Sequence, residues 1–417
     1  MKVLWFEPIG QPSRYNHDKN YAGTWQDSLE RIVRTVPEIE LHIAFLSDNN
    51  SDIKQDGNVT YIPIKLKWRK RELKGCYFWN SYRDRVIPKA LEIVSQYKPD
   101  IIQVFGTEWP FGQIAKYTEI PVVAHIQGAI VPYQNAEYPP SYSFWTVIMN
   151  NLCNPKHIAG FCRDKKSSLI RKQVEVETWK AVSYYMGRTG WDRALANVMH
   201  PGCHYYHVNE ALRNSFSQDI PWKGLNNQII KIVSIGFNML KGPDMMLKTA
   251  KILTDLNIGF DWDVIGPYDK KLIKLVEHKT KAKYSECHVH FLGKQDSVAI
   301  AKELKSASIY CHCAYIENSP NSICEAQMIG VPVVSTNVGG IASLVRDGKD
   351  GILVPANDPW QMAYAIIALN KDKVRMKQYS ENAKAFAHTR HDDENIKKEL
   401  LDAYHQILDN GSGGQVP

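Results

Sequence analysis

The sequence contains no run of 18 uninterrupted apolar residues, so no segment reads as a membrane-spanning helix. Its opening stretch, MKVLWFEPIG, lacks the apolar core and small-residue cleavage site of a secretory signal and reads as a first buried strand. No cysteine pair has CxxC spacing. The eight cysteines lie at 76, 153, 162, 203, 287, 311, 313 and 324, and Cys311-His312-Cys313 is spaced wrongly for a zinc knuckle. Thiols scattered in this way predict reduced cysteines in a cytoplasmic protein. There is no G-x-G-x-x-G and no Walker A loop, so dinucleotide and ATP readings lack their phosphate cradle. Nucleic-acid-binding motifs are missing too. The net charge of +7 therefore points to an anionic small ligand or an anionic membrane surface.

What is present is an α/β pattern in two parts. A chain of 417 residues exceeds one ordinary core, and 44% hydrophobic with 23% charged residues suits a soluble globular protein. From residue 229 the apolar runs IIKIVSIG, FDWDVIG, VHFLG, ASIYCHC, PVVSTNV and GILVP alternate with stretches of helical period such as DMMLKTAKILTDL. Continuous apolar strands separated by helices predict a parallel sheet covered on both faces. The first half repeats this with KVLWF, LHIAFL, VTYIPIK, DIIQVFG, PVVAHIQG and KAVSYYMG, interrupted by an irregular aromatic region over 129–160. The rhythm breaks near 205–225, which divides the chain into domains 1–210 and 211–390. A last helix follows over 391–408, with a flexible tail over 409–417. The expected architecture is two Rossmann-like domains facing across a cleft, with ligand at the carboxyl ends of the strands.

One stretch in that setting carries chemistry: ENSPNSICEAQ, residues 317–327. Glu317 falls on the loop after a strand. Ser319 or Asn321 would cap the next helix, with Pro320 in its first turn. Free backbone N–H groups at that helix start form an anion site. The paired carboxylates Glu317 and Glu325 suit vicinal hydroxyls, as on a sugar and a ribose. Lys241 in SIGFNMLKG sits on a strand-to-helix loop, where an ammonium neutralises phosphate. Gly339-Gly340 lets backbone approach a ligand closely. Taken singly, these features equally fit an acidic helix start and a solvated loop lysine. Asp261-Trp262-Asp263 has the form of a metal signature but lies inside a predicted strand, which explains it as sheet and core. A glycosidase is disfavoured because its acid and base must flank a scissile bond, and Glu317 and Glu325 flank one helix start.

The ordered elements SIGFNMLKG, WDVIG, VHFLGK, ENSPNSICEAQMIGVPVVSTNVGG and LVRDGKDGILVPANDP resemble the retaining glycosyltransferases of family 4, which have the GT-B fold. The likeness covers about residues 229–370. It implies that Glu317 faces the donor sugar, Glu325 holds the ribose and Lys241 meets the diphosphate. The strand-end Gly236 and the backbone of Asn318, Ser319, Asn321, Ser322 and Ile323 would line sugar and phosphate. It further implies a nucleotide diphospho-sugar as substrate, no cofactor, no metal, retention of configuration, and a last helix packing back on the N-terminal domain. The first half matches more loosely: NYAGTWQDSLERIV resembles the family's glycine loop, with Gly23 and Thr24 near the diphosphate. Two positions depart from the family. Phe237 stands where members carry an arginine, and Arg188 would supply that charge. Gln127 stands where many carry a histidine; it hydrogen-bonds a hydroxyl but cannot act as imidazole would.

The densest basic run, KLKWRKRELKGCYFW over residues 65–79, interleaves cations with Trp68, Tyr77, Phe78 and Trp79. It reads either as contact with an anionic membrane at its inner face or as a solvated loop with partly buried aromatics. The acceptor expected is a glycan or lipid-linked glycan. Two rivals stay open: a GT-B nucleotide-sugar epimerase, and a nucleotide-sugar- or glycan-binding protein without turnover.

Overall fold

The structure, a computed structural model, describes residues 1–8, 10–16, 24–47, 52–68, 75–149, 155–217, 221–226 and 228–412. Two compact units emerge. The first comprises Met1–Pro132, Asn151–Ala211 and Asp393–Pro417; the second comprises Tyr133–Asn150 and Leu212–Asp392. Both are parallel-sheet α/β domains, because each apolar run pairs with the next after a helical crossover.

In the first unit eight strands form one sheet: β1 (Lys2–Glu7), β2 (Glu40–Leu46), β3 (Lys54–Asp56), β4 (Val59–Ile64), β5 (Ile101–Phe105), β6 (Val122–His125), β7 (Tyr184–Gly187) and β8 (His204–His207). Their order is β3-β4-β2-β1-β5-β6-β7-β8, parallel except for the β3–β4 hairpin. The order reverses between β1 and β5. Hydrophobic side chains cover both faces. Leu29, Ile32 and Tyr61 cluster on one side; Val86, Ala90 and Trp179 cluster on the other. Strand β8 starts one residue before the segment read as a break in the rhythm and ends inside it. At the sheet edge two half-buried tyrosines lie between exposed histidines, which leaves no buried apolar run to read.

The second unit has six parallel strands: β9 (Ile230–Ile235), β10 (Phe260–Ile265), β11 (Val289–Gly293), β12 (Ile309–His312), β13 (Val333–Thr336) and β14 (Gly351–Val354). Their order is β11-β10-β9-β12-β13-β14, reversing between β9 and β12. Trp262, central to the DWD signal, is fully buried and donates from Nε1 to Ser234 Oγ at 2.9 Å. The aromatic region read as one irregular interruption is divided, its 133–150 part belonging to the second unit.

The last helix, Asp393–Ser412, runs four residues further than the segment 391–408, so 409–412 are helical where a tail was expected. Residues 413–417 lie outside the described residues. Ile396, Leu400, Ala403, Tyr404 and Ile407 of this helix join the core of the first unit. Tyr404 links it to the sheet, accepting from Trp5 Nε1 at 2.9 Å and donating to Gln103 Oε1 at 2.6 Å. No described helix is long and apolar enough to cross a membrane.

Candidate functional site

Parallel sheets leave a crevice at their carboxyl edge where the strand order reverses, because the crossover helices leave in opposite directions there. In the second unit this point lies between β9 and β12. Lys241 follows β9 and Glu317 follows β12, so the topology alone brings the two together.

The loop after β9 turns at Gly236, whose φ of +91° is a left-handed conformation that favours glycine. A Cβ there would stand 3.3 Å from Lys241 Cε, so the bare glycine gives the lysine stem its seat. Asn238 caps the short turn Met239–Lys241, its side chain accepting from Lys241 N at 3.2 Å. From this seat Lys241 Nζ donates to Glu317 Oε2. His312, at the end of β12, places Nε2 3.6 Å from the same oxygen. Burial pushes the Glu317 carboxyl up, but the Lys241 charge and hydrogen bond and the nearby His312 imidazole outweigh it, leaving it at about 2. Glu317 is therefore a carboxylate at any working pH.

Gly339 and Gly340 fix the Glu317 backbone. Gly340 N donates to the Glu317 carbonyl at 3.0 Å, and a Cβ on Gly339 would meet that oxygen at 1.9 Å. The Gly-Gly pair thus admits the chain carrying the carboxylate.

The helix Asn321–Ile329 starts between the two positions that a Ser319 or an Asn321 cap would give it. Pro320 is the N-cap itself, and no side chain caps the helix. Neither Ser319 nor Asn321 fills that role, because the helix starts at Asn321 and proline offers no acceptor. An uncapped start leaves N–H groups for an anion. Asn318 and Ser319 are buried just before it, Asn321 and Ser322 half-buried at its start, and Ile323 in the core. Glu325 lies one turn into the same helix and is only 2% exposed. It pairs with Arg213, accepting from Nη2 at 2.5 Å and Nε at 3.0 Å. Burial lifts the Glu325 carboxyl to about 6, with Arg213 pulling the other way.

Phe237, where a cation was expected, packs edge-on against Phe291 at 4.9 Å and Tyr284 at 5.9 Å. It belongs to the core of the second unit and not to the site. The residues that sequence reading missed here are Arg213 and His312. Arg213 gave no motif. His312 was weighed only as part of a zinc spacing.

In the first unit two of the expected residues, Gln127 and Arg188, meet at the carboxyl edge of β6 and β7. Arg188 Nη2 donates to the carbonyls of Gln127 at 3.2 Å and Ile126 at 3.4 Å. The guanidinium also lies over the Trp25 ring, 5.0 Å from its centroid. Thr24 is the N-cap of the helix Trp25–Val33, in a capping box with Asp27. Gly23 lies outside the described residues. Glu108 also enters this group: a Cβ on Gly106 would stand 2.3 Å from Glu108 Oε2 and 3.6 Å from Gln127 Oε1. Burial pushes the Glu108 carboxyl up, against the pull of Arg171 and Arg188. His125 on β6 is fully buried, and burial drives its imidazole well below the ordinary value.

Of the basic run, residues 69–74 lie outside the described residues. Lys65 and Lys67 are exposed, whereas Trp79 is buried and Trp68 and Phe78 pack against the core. The described aromatics therefore face inward.

Residues 216–386 match the family model of glycosyl transferases group 1. Among sequence relatives, a phosphatidyl-myo-inositol mannosyltransferase of Mycobacterium leprae is 31% identical over 137 residues, covering 31% of this chain and 34% of that one. The chain spans about a third to a half of the length of the curated relatives it matches. Among solved structures, sucrose-phosphate synthase from Thermosynechococcus elongatus superposes with a TM-score of 0.73 at 15% identity, covering 98% of this chain and 99% of that one. Anabaena HepE, solved with UDP and glucose, superposes with a TM-score of 0.66 at 14% identity, covering 97% and 99%. The fold is GT-B.

Proposed function

We propose that this protein is a retaining, metal-independent hexosyltransferase. It would move a sugar from a UDP- or GDP-linked donor to a hydroxyl of a glycan or lipid-linked glycan. The observation that carries this reading is the Lys241–Glu317 pair beside an uncapped helix start, at the strand-order reversal of the segment matching group 1 glycosyltransferases. The structural neighbour HepE, solved with UDP and glucose, supports a nucleotide-sugar donor.

In this reading the diphosphate lies on the helix-start amides and takes the Lys241 ammonium from Glu317. The freed carboxylate then accepts hydrogen bonds from the sugar. Glu325 holds the ribose, with Arg213 fixing its orientation. Gly236 leaves room over the lysine stem. Negative charge grows on the departing diphosphate in the transition state, so the amides and Lys241 bind that state more tightly than the ground state. The bond from the anomeric carbon to the diphosphate oxygen breaks while the acceptor oxygen bonds on the same face. The acceptor proton passes to the departing phosphate. In the first unit Gln127, Arg188, Gly23 and Thr24 are the residues proposed to meet sugar and phosphate, with Gln127 orienting a sugar hydroxyl.

The proposed setting is bacterial surface polysaccharide synthesis in the cytoplasm, at the inner face of the membrane. A peripheral contact through residues 65–79 would draw on Lys65 and Lys67 at its described start.

The test is a thermal-shift and mass-spectrometric screen against UDP-, GDP- and dTDP-sugars. One nucleotide class should stabilise the wild type, with the shift lost in Lys241→Ala and reduced in Glu317→Ala. Turnover should survive EDTA, and NMR of the product should show the donor's anomeric configuration. Phe237 favours a second reading, a binding protein without turnover. Donor binding without any transferred or altered sugar would select it, and an altered sugar nucleotide would select an epimerase.

A further inference from the structure

Among the described residues two groups favour the ionised form of Glu317, Lys241 and His312. They differ in how firmly the fold holds them. The Lys241 side chain is 22% exposed and reaches Glu317 on a flexible four-carbon stem laid along Gly236. His312 is 3% exposed and fixed at the end of β12, where it lies in register with Ser335 of β13. Strand alternation sends Cys311 and Cys313 into one core of the second unit and Tyr310 into the other, so Tyr310 and His312 share a face. Their rings lie 6.2 Å apart at 27°.

The surroundings of the imidazole set its tautomer. The Tyr310 hydroxyl stands 3.5 Å from Nδ1. Burial pushes this phenol up, so it keeps its proton and donates to Nδ1. Burial also lowers the imidazole, opposed by Glu317 and aided by the Lys241 charge. The ring is therefore neutral, with its one proton on Nε2. That Nε2 is buried and has no hydrogen-bond partner among the described residues, which is unusual for a polar group. It lies 3.6 Å from Glu317 Oε2, the oxygen that Lys241 occupies. A movement of about 0.7 Å would bring it to the roughly 2.9 Å of an N–H···O bond.

We propose that His312 is a positioning residue that takes Glu317 over from Lys241 when a diphosphate draws the lysine away. The inference rests on the glycosyltransferase reading and adds to it what holds Glu317 once its cation has left. A buried carboxylate stripped of its cation is strongly disfavoured. Without a replacement the lysine would stay with Glu317, and the diphosphate would bind without it. The Nε2–H of His312 supplies one hydrogen bond to Oε2 and leaves the other lone pairs of the carboxylate for sugar hydroxyls. No proton is transferred and His312 does not touch the substrate, so it acts through Glu317 alone.

Isothermal titration of the full chain with UDP, GDP and dTDP tests this, because the bare nucleotide withdraws Lys241 without offering Glu317 a sugar. The nucleotide that binds the wild type should bind His312→Phe at least about tenfold more weakly. His312→Gln, whose amide N–H can replace Nε2–H, should stay within about threefold of wild type. In a Glu317→Ala background His312→Phe should change affinity by less than about twofold, since no carboxylate is left to hold. A loss of similar size in both backgrounds would make His312 a structural residue of the strand end and overturn the proposal. Full affinity in His312→Phe would overturn it too. Should that variant not fold, NMR of histidine-labelled wild type decides. Nucleotide should move downfield the Nε2–H signal that is absent from His312→Gln, and Lys241→Met should show the moved signal without nucleotide. A signal that stays in place when nucleotide binds overturns the exchange. If none of the three nucleotides binds the wild type, the donor reading itself fails and the exchange with it.

Discussion

Glu325 and Glu317 sit on one short stretch of chain, yet their surroundings separate them. Glu317 is held at about 2 and Glu325 at about 6, so only Glu325 titrates near neutrality. An ionised carboxylate is the better acceptor for ribose hydroxyls. KM for the nucleotide sugar is therefore expected to rise as pH falls through about 6, and Glu325→Gln should flatten that profile in steady-state assays. Arg213→Ala would leave Glu325 buried and unpaired, which costs about 3–5 kcal/mol. Urea denaturation at pH 8 checks this, and the loss should shrink at pH 5, where the carboxyl takes up a proton. The glutamates were legible from ENSPNSICEAQ, because their spacing on one loop and helix is local. Arg213 was not, since the chain separates it from Glu325 by 112 positions and only the fold closes that distance.

At the scale of elements, the site depends on how closely loops pass one another. Gly339→Ala would drive a methyl against the Glu317 carbonyl at a φ of +53°. We expect about 1–3 kcal/mol of destabilisation and, from the displaced carboxylate, a transfer rate lower by about a hundredfold. Denaturation and kcat measured on the same preparation separate the two effects. In the first unit Glu175, on the helix Pro155–Ala181, accepts from Ile130 N and Val131 N, both at 2.8 Å. Burial raises its carboxyl to about 7, above the ordinary 4.5. Its contribution to stability is thus full below pH 4.5 and is lost as pH rises through about 7. Between pH 4.5 and 8 the wild type should lose about 3 kcal/mol more than Glu175→Gln, as measured by urea unfolding across that range. The helix start after Glu317 was only partly legible. The proline was visible, but its position as N-cap depends on where the strand before it ends. Strand β8 was missed because an edge strand lacks the apolar run that marks a buried one.

For the whole molecule, the notable feature is that the end of the chain completes the first unit. Ile396, Leu400, Tyr404 and Ile407 are buried there, each contributing about 1.5–3 kcal/mol by removal from water. Truncation before Asp393 should abolish or strongly lower the melting transition of the first unit in calorimetry while leaving that of the second in place. A single shared transition that simply shifts would show that the two units unfold as one. Local sequence carried most element types, the parallel α/β class and the ENSPNSICEAQ motif. All of these are carried by neighbours within about a dozen residues, through side-chain periodicity and loop chemistry. Tertiary structure alone decided the strand orders, and with them the reversal points that bring Lys241 to Glu317. It also decided the Arg213–Glu325 pair. Those depend on which distant strands pair, a choice made by burial of the whole core and not by any local pattern.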